Sequence, residues 1–181
     1  MKTFVSALAL SAALTGAASA EGMYVEVFGG ADFAPDLEWN NSDYEMDTGY
    51  SYGAALGWNL TPNWSVEGEI AYHEADYACC TSNASLLNLS VNGYYTFNPE
   101  GQFKPYVGAG IGYGELAYES GGQIDDWVFT YQVMAGARVA VASNTELVAE
   151  YRYVGSANAD TSFTEWEYRA HVLSAGLRFN F

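Results

Sequence analysis

The chain has 181 residues, half of them apolar, and its 22 acidic residues against six lysines and arginines give a formal net charge of -16. This composition excludes nucleic-acid binding, because neutralising phosphates requires lysine and arginine. Beyond the N-terminal stretch no run of about 18 apolar residues occurs, which excludes a helical membrane protein. A membrane-inserted form would therefore have to be a closed sheet, since lipid offers no partner to an open strand edge.

Residues 1–20 are typical of a cleaved secretory signal peptide. Lys2 precedes an apolar stretch from Phe4 to Leu14, and the small residues after it end in Ala18-Ser19-Ala20. A basic start, an apolar centre and a small-residue cleavage site are the three parts of such a signal. The remaining residues, 21–181, are predicted to form one domain. Loss of Lys2 changes the formal charge from -16 to 5 minus 22, or -17.

The first four predicted strands span about residues 22–33, 50–60, 64–73 and 87–97. Each alternates its side chains with the period of two that a strand requires. In the third strand, for example, Val66 and Ile70 alternate with Glu67 and Glu69. Such alternation predicts a wall with one face toward lipid and the other toward a polar interior.

The last four predicted strands span about residues 104–114, 127–139, 146–153 and 173–181. Along the chain, short turns alternate with longer polar connections. The long connections lie at about residues 34–48, 74–84, 115–126 and 155–165. Aromatic residues fall near both ends of the strands, as rings at the level of lipid headgroups do. The predicted fold is an all-β, eight-stranded antiparallel up-and-down transmembrane β-barrel with short periplasmic turns and long extracellular loops.

Charged residues of inward parity are expected to fill the lumen, because an eight-stranded barrel is only wide enough for its own side chains. They are Glu26, Glu67, Glu69, Lys104, Arg138, Glu146, Glu150, Arg152 and Arg178. Buried ions need partners. Glu26 can meet Arg178, since the first and last strands adjoin, and Arg138 can meet Glu146 or Glu150 on the next strand. The network is either a plug of salt bridges or a switchable gate.

The four long connections are acidic and contain no lysine or arginine. They are predicted either to be solvated, or to bind Ca²⁺ or Mg²⁺ that bridges to lipopolysaccharide phosphates or to a surface ligand. Arg169 and His171 have outward parity but lie beyond the ten or so residues that span a bilayer. They are predicted to contact lipopolysaccharide at the outer rim, although a snorkelling arginine is the alternative.

Two segments resemble a known family. Lys104-Pro-Tyr-Val-Gly-Ala-Gly-Ile-Gly-Tyr-Gly114 and His171-Val-Leu-Ser-Ala-Gly-Leu-Arg-Phe-Asn-Phe181 are similar to strands of the small outer-membrane β-barrel family, which includes opacity proteins, OmpA-like transmembrane barrels and "porin family" surface proteins. The resemblance implies a location in the bacterial outer membrane. It also implies that the terminal aromatic, Phe181, is an assembly signal for the barrel assembly machinery.

The sequence predicts no enzyme, no cofactor and no metal-ligand set. His171 and Ser174 lie on opposite faces of one strand, and His73 with Glu74 or Asp76 is the other candidate pair. The adjacent Cys79 and Cys80 match neither a zinc nor a C-x-x-C redox spacing, and their redox state stays open. The predicted function is a structural or interaction role at the cell surface. The alternative is a narrow porin for small solutes or ions.

Overall fold

The structure is a computed structural model that describes residues 22–39, 42–45, 48–76, 83–119, 123–156 and 166–181. These ranges contain nine strands: β1 Met23–Trp39, β2 Ser42–Glu45, β3 Gly49–Asn59, β4 Trp64–Asp76, β5 Asn83–Thr96, β6 Phe103–Glu119, β7 Gln123–Ala142, β8 Thr145–Ser156 and β9 Trp166–Asn180. Within them no helix is long and apolar enough to cross a membrane. The signal peptide predicted for residues 1–20 lies outside the described residues and stays a prediction.

Eight of the strands close into an antiparallel barrel in the order β1, β3, β4, β5, β6, β7, β8 and β9. Closure comes from β1 and β9, which pair along most of their length and place Glu26 opposite Arg178. The remaining strand, β2, is not part of the closed ring. It pairs with the outer part of β1, where Asp36 lies opposite Glu45. The prediction of an eight-stranded antiparallel barrel is therefore confirmed.

The two faces of the wall differ as the alternation predicts. The neighbours Asn88 and Leu89 on β5 are 1% and 47% exposed. Outward aromatic residues concentrate near the short turns, at Trp58, Trp64 and Phe97, and again near the opposite end, at Tyr52, Tyr113 and Trp127. Rings at these two levels suit the headgroup regions of a bilayer, with an aliphatic band between them.

Inward glycines let large lumen side chains lie flat across a neighbouring strand. A Cβ at Gly57 would lie 2.0 Å from the ring of Tyr24, and one at Gly136 would lie 2.6 Å from the hydroxyl of Tyr106. Both tyrosines are buried. Because no side chain stands at these glycines, each ring crosses the adjacent strand and brings its hydroxyl into the lumen.

The strands extend further than predicted on the side of the long connections. β1 continues to Trp39, β4 to Asp76 and β6 to Glu119, while β7 already begins at Gln123. The predicted connections at 34–48, 74–84, 115–126 and 155–165 therefore consist partly of strand, and 77–82 and 157–165 lie outside the described residues. The boundaries were wrong because apolar alternation marks where a strand meets lipid, whereas backbone pairing continues beyond that level.

Candidate functional site in the barrel lumen

The centre of the lumen is occupied by Arg152 of β8, which forms a fork with Glu69 of β4. Its Nη1 donates to Glu69 Oε1 and its Nη2 donates to Oε2 at 2.7 Å. In the closed order of eight strands, β4 and β8 are four positions apart and therefore face each other across the barrel. This ion pair, the transluminal pair, spans the full diameter of the lumen.

The transluminal pair has further partners that compensate for its burial. Nε of Arg152 also donates to Glu150 at 3.0 Å, and the second oxygen of Glu150 accepts from the hydroxyl of Tyr106 at 2.9 Å. Glu69 also accepts from Asn92 and Gln132, at 3.3 and 3.4 Å. Buried ions are tolerated when their lone pairs and protons are satisfied in this way.

A second cluster lies where β9 meets β1. Arg178 donates from Nε to Glu26 at 2.8 Å, and its guanidinium lies 3.7 Å from the centre of the Tyr24 ring. Its Nη2 is 3.7 Å from Glu67, which accepts hydrogen bonds from the hydroxyls of Tyr24 and Tyr94, both at 2.9 Å. The pairing of Glu26 with Arg178 that strand order suggests is therefore present, and β4 contributes Glu67 to it.

The predicted pairing of Arg138 with Glu146 or Glu150 is wrong. Arg138 donates to the hydroxyl of Thr96 and lies 4.5 Å above the Tyr106 ring. In register it faces Val148, so that both glutamates lie diagonal to it. Glu146 instead forms an ion pair with the ammonium of Lys104 at 2.7 Å, and Glu150 forms one with Arg152. Arg138 is thus in the lumen but outside the ion-pair network.

A buried pair at the end of the barrel that carries the long connections was not predicted from the sequence. Nδ1 of His73 on β4 lies 2.7 Å from Asp32 Oδ2 on β1, and both side chains are buried. Asp32 has the same inward parity as Glu26, so extending the first segment's alternation to its end would have found it. Glu74, which the sequence analysis considered as a candidate partner of His73, faces the other side of β4.

Ser51 lies opposite His73 in the strand register, which brings a serine beside the Asp–His pair. The arrangement is not a hydrogen-bonded relay, because the Ser51 hydroxyl and His73 Nε2 are both buried without a hydrogen-bond partner. A nucleophile requires contact with its base and access for a substrate. Neither condition is met by these three residues.

The remaining predicted residues lie on the outer surface or at an end. His171 is exposed and its Nδ1 is 2.7 Å from the hydroxyl of Tyr151. Arg169 is partly buried on the same face of β9. Phe181 ends the chain beside β1, its amide donating to the carbonyl of Met23 at 2.9 Å. The lipid-contact and assembly roles of these residues stay predictions, and Cys79 and Cys80 lie outside the described residues.

Residues 3–181 match the model of the outer membrane protein beta-barrel domain. A curated relative is the Rickettsia conorii protein named "Putative adhesin RC1281", which is 25% identical over 183 residues covering 80% of this chain and 74% of that protein. These matches extend over most of the barrel.

Two solved structures have the same fold. The Neisserial surface protein A (NspA) is 22% identical, with a TM-score of 0.66 over 89% of this chain and 98% of that chain. The N-terminal β-barrel domain of Pseudomonas aeruginosa OprF is 21% identical, with a TM-score of 0.55 over 89% and 98% of the two chains. At this level of identity the likeness shows the fold alone.

Proposed function

The chain belongs to the outer membrane protein beta-barrel domain family, and we propose that it is a closed-lumen surface protein with a structural or interaction role. Its location is the bacterial outer membrane. In this function the lumen does not conduct, and the extracellular end contacts a partner. A narrow porin is the alternative function.

The transluminal pair is the observation that supports a closed lumen. Arg152 and Glu69 are 4% exposed each, and together they join opposite walls. An eight-stranded barrel has room for side chains but not for an aqueous channel in addition to them. The clusters around Arg178 and Lys104 fill the lumen on the periplasmic side of this pair. A solute would have to displace several buried ion pairs to pass.

The extracellular end supports the interaction role. Strands β1, β2, β6 and β7 carry acidic residues in their outer parts, at Asp36, Glu38, Asp43, Glu45, Glu119, Asp125 and Asp126. These strands continue beyond the aromatic level, which supports a position of these residues outside the bilayer. The Rickettsia relative carries the name of an adhesin. We propose an adhesin-like contact in which divalent cations bridge carboxylates to a surface ligand.

Planar-bilayer recording tests the closed lumen. The wild type and Arg138→Ala should both show no resolved conductance steps in KCl, because the transluminal pair is intact in each. Steps in the wild type would contradict the proposal and favour the narrow porin. Steps that arise only in Arg138→Ala would indicate a gate that depends on that residue.

A cell-attachment assay tests the interaction role separately. Bacteria that display the wild type should bind a host-cell or abiotic surface in the presence of Ca²⁺ and release it on chelation. Replacing Asp36, Glu38, Asp43 and Glu45 by their amides should reduce attachment, while Glu100→Gln in a short periplasmic turn serves as the matched control. Equal attachment of all three, with or without Ca²⁺, would contradict the proposed bridging.

No catalytic activity is proposed for this barrel. Among the described residues, no group of three or more histidines, cysteines, aspartates and glutamates is placed to hold a metal ion. The Asp32, His73 and Ser51 side chains are buried and are not linked into a relay.

Phe181 is proposed as the assembly signal, and Phe181→Ala should slow insertion without changing the folded lumen.

A further inference from the structure

Arg138 is the one cation of the described lumen that forms no ion pair with a carboxylate. Each of the other three pairs with at least one glutamate, and these are Lys104, Arg152 and Arg178. Arg138 is nevertheless only 3% exposed. A full positive charge is therefore enclosed in the barrel with no negative side chain at ion-pair distance.

The charge of Arg138 cannot be relieved by loss of a proton. A buried lysine or glutamate can become neutral, whereas a guanidinium stays protonated in proteins. The neighbours of Arg138 are the Thr96 hydroxyl, which accepts from Nη2, and the Tyr106 ring, whose centre is 4.5 Å away. Neither neighbour carries a charge that balances the guanidinium, and burial of an unbalanced ion is unfavourable. The position therefore favours an anion from solution.

Several hydrogen-bond donors at this position lack an acceptor on the protein. A guanidinium has five N–H groups in a planar fork. Among the described residues, Arg138 donates one hydrogen bond, to Thr96, and its Nε is buried without a partner. Thr96 accepts with its hydroxyl oxygen, which leaves the hydroxyl proton for a second group. Arg138 and Thr96, which we call the lumen anion site, thus offer donors suited to a negative ion.

The lumen anion site lies toward the end of the barrel that carries the short turns. Thr96 is the last residue of β5, and Lys104, opposite Arg138 in register, is the second residue of β6. Lys104 turns to Glu146 on β8. Arg138 turns the other way, to Thr96 on β5, which separates two like charges that would otherwise repel each other. The Lys104 side chain is 24% exposed, so water and its solutes reach the lumen at this level.

We propose that the lumen anion site binds a small inorganic anion, chloride or phosphate, with Arg138 as the principal ligand and the Thr96 hydroxyl as a second donor. The interior of an eight-stranded barrel is just wide enough for side chains, which excludes larger organic anions. In register Arg138 faces Val148, four residues before Arg152 on β8, so the transluminal pair lies on the extracellular side of the site. An anion from the periplasm therefore binds without passing that pair, whether or not the lumen conducts.

The first test compares the stability of the barrel in different anions at equal ionic strength. Wild type, Arg138→Met, Arg138→Lys and Glu100→Gln are unfolded by urea in lipid vesicles that contain sodium gluconate, chloride or phosphate. Transfer from gluconate to the bound anion should lower the unfolding equilibrium constant of the wild type about threefold more than that of Arg138→Met, as for an anion at about twice its dissociation constant. General salt effects on folding are common to both proteins. Arg138→Lys should keep part of the difference, and Glu100→Gln, an exposed charge change in a short turn, should keep all of it.

The second test detects the bound anion directly and identifies it. The NMR lines of chloride and of phosphate broaden when the ion exchanges with a protein site, so the line that the folded wild type broadens names the ligand. Arg138→Met should broaden neither line beyond the level of empty vesicles, and Thr96→Val should broaden the ligand's line less than the wild type does. Absence of broadening by the wild type, or equal broadening by wild type and Arg138→Met, would overturn the proposal, as would an equal response of their stabilities to the anions.

Discussion

Two arginines on neighbouring strands face the same lumen, yet their surroundings differ completely. Arg152 on β8 contacts two carboxylates, Glu69 and Glu150, and links opposite walls. Arg138 on β7 contacts the hydroxyl of Thr96 and the face of a tyrosine ring instead. Each is buried to a similar degree, with 4% and 3% exposure. Residue type and parity place a cation inside the barrel, but strand register and position around the ring decide its partners.

Removing the two charges should destabilise the barrel to unequal degrees. Arg152 balances two buried glutamates, so its loss leaves uncompensated charge in the lumen. Removal of the Arg138 guanidinium leaves only a neutral hydroxyl and an aromatic ring, and both tolerate an apolar neighbour. The middle of the lumen should therefore resist substitution far more than the region around Arg138.

Arg152→Ala should have the largest effect. We expect a loss of about 3–5 kcal/mol in the free energy of unfolding, since breaking a buried ion pair leaves its partner charged and desolvated. Reversible urea unfolding in lipid vesicles measures it. The combined replacement Arg152→Met, Glu69→Leu, Glu150→Gln should recover much of the loss. No recovery in the triple variant would indicate that shape, not charge, limits the site.

His73→Ala should have the second-largest effect. Asp32 is fully buried and His73 supplies its hydrogen bond, so the substitution leaves a buried carboxylate unpartnered. We expect a loss of about 2–3 kcal/mol by the same unfolding assay. His171→Ala is the matched control, because that histidine is exposed on the outer wall. Equal stability of the two variants would contradict the buried pair.

Arg138→Met should have a smaller effect, within about 1 kcal/mol of wild type, because the methionine retains packing against Tyr106 and no carboxylate loses its partner. The single variant Arg152→Met, measured in parallel, should lose much more, because Glu69 and Glu150 lose their partner. A loss as large as that of Arg152→Met would mean that Arg138 has an ionic partner after all.

Lys104→Met should have the smallest effect. The Lys104 side chain is 24% exposed and its ion pair with Glu146 lies near the periplasmic end. Solvent reaches this pair, so we expect a change of at most about 1 kcal/mol, decreasing further at high salt. A large loss that is independent of salt would show that this end of the lumen is as dry as the centre.

The fold was predictable from sequence because it depends on a property that the sequence displays directly. In β4, Val66 and Gly68 lie on the outer face while Glu67 and Glu69 lie on the lumen face. The same alternation repeats around the barrel. The strand ends beyond the bilayer were not predictable from this signal, because contact with lipid is what imposes the apolar alternation. Backbone pairing there leaves no apolar pattern.

The partners in the lumen were predictable only where chain order brings strands together. Glu26 and Arg178 lie on the two strands that must close the barrel, so their contact follows from closure. The pairing of Arg152 with Glu69 depends on which strands face each other and on how the register staggers around the ring, and no local pattern carries that information. Asp32 could have been found by extending the alternation of the first segment, but its contact with His73 on β4 depends on the arrangement of the strands around the ring.

The most direct test of the account is the distance across the lumen between Arg152 and Glu69. Solid-state NMR on barrels in lipid bilayers, with the guanidinium nitrogens and side-chain carboxyl carbons isotopically labelled, measures the dipolar coupling between the two groups. A coupling that corresponds to less than about 4 Å, as a hydrogen-bonded fork requires, is the predicted result. A resolved Glu69 carboxyl signal without coupling to Arg152 would mean that the opposite walls are not joined, which contradicts the closed lumen.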